Sequence, residues 1–168
     1  MIIAIQPAYG DARTRRHFAT SLDDTVAFSA EAHREQLTRH QLAELEALHS
    51  DGRAHFWGGT RSQAAKLVHL RRGDLVLLTG QLHVRGVGEV GVVFDNERFA
   101  RTVWDPSPRR CPFEAVYSFA WFRRVEVPYG ILQTALGTSE GDNFQALRLV
   151  RDERRVAAVR ALLDDGVL

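Results

Sequence analysis

The chain has 168 residues, with 22 basic side chains against 21 acidic ones and a formal net charge of +1. That length holds one domain with a sizeable core, or one domain plus a small appendage, and a near-neutral balance excludes a general nucleic-acid coat protein. A single cysteine, Cys111, excludes a disulfide framework and a cysteine-based zinc site within one chain.

Ile2 to Ile5 is a β-branched run closed by Pro7 and Gly10 and predicts a first strand, after which Asp11 caps a short helix through about Ser21. The apolar start is too short for a signal peptide and nothing approaches a membrane span, which reads as a cytoplasmic chain. Residues 30–50 read as helical, with Thr38 capping the second half and Gly52 stopping it. This divides the chain into a strand and helical arm, residues 1–54, packed on a domain of residues 55–168.

From His55 the pattern changes. Phe56-Trp57 begins a strand or its exit loop, Ser62 to Leu70 has helical spacing, and Arg71-Arg72-Gly73-Asp74 turns into the apolar run Leu75 to Thr79, a central strand. Gly80 to Gly86 reads as a hairpin connection, Val87 to Asp95 as the returning strand and Asn96 to Val103 as a short helix. Ala115 to Val127 is a long alternating β segment, Pro128 opens a helix through Leu136, Asp142 to Val150 is a strand or loop, and Asp152 to Leu163 is an amphipathic helix. The order predicts an α+β fold: a small, largely antiparallel sheet with helices packed around it.

Trp57 and Trp104 fall on separate connecting segments on either side of a run of strands. A pair of indoles can sandwich one flat ring, such as a flipped or unpaired base; the competing reading buries both in the core. Lys66 is the only lysine, and arginines occur in pairs, among them Arg109-Arg110. Arginine forks suit phosphate, although codon bias also enriches them. Gly86-Val87-Gly88-Glu89-Val90-Gly91 matches a dinucleotide fingerprint, but Val90 to Phe94 continues as strand rather than helix, so these glycines serve twist, a bulge or close approach. The histidines lack metal-ligand spacing and no nucleophile-elbow motif occurs. No catalytic residue, metal ligand or cofactor is assigned. Asn143 offers an amide suited to a base edge, or a turn residue.

Taken in order, Phe56-Trp57-Gly58-Gly59-Thr60, Arg72-Gly73-Asp74-Leu75-Val76-Leu77, Gly86-Val87-Gly88-Glu89-Val90, Thr102-Val103-Trp104 and Val127-Pro128-Tyr129 resemble the PUA-like superfamily. Within it they are most similar to the YTH and EVE branch, especially the N-terminal reader domains of modification-dependent (type IV) restriction systems. The resemblance covers roughly residues 55–150 and extends to Asp142-Asn143-Phe144-Gln145.

It implies a twisted, partly closed β-barrel flanked by helices, here with a helical N-terminal extension. It also implies a cage for one extruded, modified base, with Trp57 and Trp104 as walls and Phe113 or Tyr117 as a third. Gly58, Gly59, Thr60 and Asn143 would make backbone or base-edge contacts, and Arg61, Arg109 and Arg110 would hold phosphates. RNA-reading members carry a serine directly after the first tryptophan, where this chain has Gly58. The function implied is non-catalytic reading of modified DNA in partnership with a nuclease domain or subunit, with no membrane partner. The alternatives are a reader of methylated adenine in RNA, a small nuclease or hydrolase using His55, Asp74 or Glu89, and a protein-interaction module if both indoles are buried.

Overall fold

The computed structural model describes residues 1–104 and 113–168. Strand β1 (Ile3–Pro7) is followed by helix α1 (Ala12–Phe18) and a π-helical turn (Ala19–Asp23), then by the short α2 (Glu31–Arg34) and α3 (Arg39–Leu48). Next come β2 (His55–Thr60), α4 (Arg61–Leu67), β3 (Leu75–Gly80), β4 (His83–Asp95), α5 (Glu97–Trp104) and β5 (Phe113–Pro128). The chain closes with α6 (Tyr129–Leu136), β6 (Arg148–Val150) and α7 (Glu153–Asp164).

Local chemistry sets these boundaries. Asp11 Oδ1 accepts the Thr14 N–H at 2.7 Å, Thr38 Oγ1 accepts from Gln41 at 3.2 Å, and Asn96 Oδ1 accepts from Phe99 at 2.9 Å. Each satisfies an orphan donor of a first helical turn. The expected helix at 30–50 is two helices, because Thr38 starts a new cap rather than extending α2. Gly137 at φ +61 ends α6 in the left-handed region.

The strands form one six-stranded sheet in the order β2-β5-β4-β3-β1-β6, parallel only between β1 and β3. This is the expected α+β architecture. The apolar runs in β1 and β3 follow from burial on both faces. Ile3, Ile5, Leu75 and Leu77 face a core closed by α6 and α7 through Leu132 and Val159. Ala4, Val76 and Leu78 face the opposite core, which holds Phe18, Phe56, Trp57, Phe99 and Tyr117.

The sheet curls without closing. No backbone ladder joins its edge strands β2 and β6, so it is not a hydrogen-bonded barrel. Side chains close the gap instead: Gln6 of β1 donates to Gly58 O of β2 at 2.8 Å, and Tyr117 Oη of β5 donates to Gln6 Oε1 at 2.7 Å. Register shifts along β4 and β5 sharpen the bend. The glycines of β4 permit it: a Cβ on Gly86 or Gly88 would lie 2.5 Å from the Phe122 or Phe119 ring.

The β3–β4 boundary also differs from expectation. The β3–β4 connection is not Gly80 to Gly86 but the two residues Gln81 and Leu82, at φ +52 and +62, with β4 already paired from His83. This is a type I′ turn built from residues other than its preferred Asn and Gly, so the sequence signals the hairpin at Gly80 without marking its two tip residues.

Candidate functional site

Trp57, Trp104 and Phe113 come together from three elements. Trp57 lies in β2 opposite Tyr117 of β5, Trp104 ends α5, and Phe113 begins β5. Their centroids are 6.2 Å apart for Trp57–Trp104, 5.5 Å for Trp57–Phe113 and 5.0 Å for Trp104–Phe113, all edge-to-face. All three are buried, with Trp57 only 1% exposed. The indoles are therefore core residues here, and with Phe113 they form a triangle of rings packed edge to face, which leaves no parallel slot for a base.

Two of the rings differ in their polar atoms. Trp104 Nε1 donates to Ser21 Oγ at 2.9 Å, and Ser21 in turn donates to Phe56 O at 2.8 Å, so this indole is anchored. Trp57 Nε1 is buried and meets no acceptor among the described residues. A buried donor without a partner costs about 1–3 kcal/mol and calls for an explanation. Phe113 has no polar atom to anchor it and packs edge-on against His17, their centroids 5.6 Å apart.

The remaining expected residues divide. Tyr117 is fully buried and its phenol, pushed well above its ordinary pKa by desolvation, serves the Gln6 bridge. Gly58 and Gly59 let neighbours approach: a Cβ would lie 3.0 Å from the Phe113 ring at Gly58 and 2.2 Å from Leu67 at Gly59. Thr60 donates its N–H to Gln63 Oε1 at 3.0 Å, at the start of α4. Arg61 is exposed beside Glu114, 3.1 Å from its carboxylate. Arg109 and Arg110 lie outside the described residues.

Asn143 is not with the indoles. It lines a separate cleft of about 520 Å³ with Thr79, Gln81, Leu82, Tyr129 and Gln145. His55, Asp74 and Glu89 are engaged separately. His55 rests on the Phe122 ring with its pKa lowered by burial, and Asp74 accepts the Ile2 and Arg71 N–H groups at 2.7 and 2.8 Å. Glu89 accepts from Trp121 at 3.2 Å. Among the described residues no three His, Cys, Asp or Glu side chains gather to hold a metal, and no helix is long and apolar enough to cross a membrane.

Sequence reasoning missed Tyr9, Gln6 and Ser21. Tyr9 lies beneath two guanidinium groups, Arg85 at 5.1 Å and Arg124 at 5.3 Å, and packs edge-on against Phe18 at 5.1 Å. Phe18 reaches Trp57 at 6.1 Å. Arg85 pairs with Glu126 and Arg124 with Asp23, while Arg15 donates to Gly10 O. The one local signal was Gln6 itself, a polar residue inside an apolar strand.

The sequence matches no protein-family model and no curated protein. Among solved structures the chain is similar to the N-terminal domain of Thermococcus gammatolerans McrB bound to m5C DNA. The two share 14% identity with a TM-score of 0.72, and the alignment covers 100% of each chain. The likeness establishes a shared fold along the whole chain.

Proposed function

We propose that this protein is a non-catalytic reader of DNA carrying a modified base, and that the base enters the cluster of Trp57, Trp104 and Phe113. The observation that carries the reading is the Trp57 indole N–H, buried among aromatic rings with no acceptor among the described residues. A base carbonyl or ring nitrogen supplies the missing acceptor. The fold, matched along its whole length by a domain bound to m5C DNA, supports the same reading.

Binding then proceeds by exchange. Trp104 stays anchored through Ser21, while Phe113 gives way to the entering base. Extruding a base costs a few kcal/mol. Stacking on aromatic rings returns about 1–3 kcal/mol per base, a buried methyl carbon adds about 0.8 kcal/mol, and the satisfied indole contributes further. The balance is marginal for a plain base and favourable for a methylated one. Exposed arginines, Arg16 and Arg61 among them, hold the backbone without reading sequence. In this reading the domain directs an associated nuclease to modified DNA.

The test is fluorescence-polarisation binding to one duplex series differing at a central base: unmodified, N6-methyladenine, 5-methylcytosine, 5-hydroxymethylcytosine and N4-methylcytosine, with a matched methylated RNA. The expected result is preference for one modified duplex by about tenfold or more. Equal, salt-sensitive binding to every duplex overturns the reading, and preference for the RNA transfers it to RNA.

A further inference from the structure

The β3–β4 turn carries a feature that its folding does not require. Leu82, at its apex, is 67% exposed and sits at φ +62 beside Gln81 at φ +52. A left-handed backbone is costly for bulky residues, and Asn-Gly would make the same turn without that cost. Yet the turn is firmly braced. His83 Nδ1 lies 2.8 Å from Gln81 O, Arg85 Nε donates to Gly80 O at 3.1 Å, and the Tyr129 N–H donates to Leu82 O at 2.9 Å. The result is a rigid tip holding an apolar side chain out into water.

The tip belongs to the same end of the molecule as the aromatic cluster. Tyr9 packs against Gly80 at the base of the turn so closely that a Cβ there would lie 2.6 Å from its backbone. From Tyr9 the row of rings runs through Phe18 to Trp57, at 5.1 and 6.1 Å. Arg15, Arg85 and Arg124 surround Tyr9 and its loop, Arg85 and Arg124 in pairs with Glu126 and Asp23 that a phosphate would have to replace.

We propose that the Gln81-Leu82 tip is an apolar wedge that enters the duplex beside the extruded nucleotide and fills the space the base leaves. This deepens the reading above and rests on it. Apolar side chains inserted at base steps unstack them and compensate for the lost stacking. The rigidity of the turn suits the role, because a mobile leucine would forfeit the gain in ordering entropy.

The experiment uses the duplex that the wild-type chain prefers, with 2-aminopurine next to the modified base as a reporter of unstacking. Leu82→Ala, and separately the double change Gln81→Asn with Leu82→Gly, are compared with wild type. The expected result for both is binding weaker on the order of tenfold and loss of the reporter's brightening. The double variant should keep or raise the thermal midpoint, which excludes misfolding as the cause. On a duplex whose modified base faces an abasic site, and so is already unpaired, the defect should shrink. Wild-type binding and brightening in both variants overturn the wedge while leaving the base reading intact. An equal defect on both duplexes overturns it in favour of a plain surface contact. A wild-type chain without preference for any modified duplex overturns both proposals.

Discussion

Trp57 is at once a core residue and the proposed base contact, and the two roles make different demands on one side chain. Its ring fills space against Phe18, Trp104 and Phe113, so Trp57→Ala should cost about 3–5 kcal/mol of stability and says little about binding. Trp57→Phe isolates the second role, since it keeps an aromatic face and removes only the larger ring system and the unpartnered N–H. We expect this variant to unfold cooperatively in urea while binding the preferred modified duplex about tenfold more weakly. Undiminished binding would falsify the role given to the indole N–H. The pairing of these tryptophans was legible from their sequence contexts. Their burial was not, because Phe113 and Ser21 reach them from distant parts of the chain.

Strand β4 shows how one motif can mislead and still carry physics. Its glycines match a nucleotide fingerprint in letters, but they lie within a continuous strand against the Phe119 and Phe122 rings. Their role is to let β5 cross closely while the sheet bends. Gly88→Ala should therefore destabilise the fold by about 1–3 kcal/mol, since its Cβ would sit 2.5 Å from the Phe119 ring and 2.6 Å from Trp121 O. Gly141, where a Cβ meets nothing within 4 Å, is the control, with an expected change within about 0.5 kcal/mol. Urea midpoints for the two variants make the comparison, and equal midpoints would remove close approach as the reason for glycine in this strand. The helices were readable because their caps are local: Asp11, Thr38 and Asp152 each stand where the sequence places them. The β3–β4 hairpin was readable but its two-residue tip was not, since that conformation is held by bonds from Arg85, His83 and Tyr129.

At the scale of the whole molecule, one side chain completes the curl of the sheet. Gln6→Leu removes a donor to Gly58 O and an acceptor for the Tyr117 phenol together, leaving two polar groups short of partners. We expect a loss of about 1–3 kcal/mol for each group left unpaired. Amide hydrogen exchange should quicken along His55–Thr60 before it does in β3; uniform exchange across the sheet would show that Gln6 does not hold β2. The sequence by itself determined the α+β class, the apolar strands and the capped helices, because period, caps and breakers act within a few residues. It also brought Trp57 and Trp104 forward together. Only the tertiary structure decided that Phe113 packs edge-on against both of them, that Asn143 faces a different cleft, and that Leu82 stands out on a braced tip. Those arrangements depend on contacts between residues far apart in the chain, and a linear pattern carries no record of which distant side chain will occupy a given space.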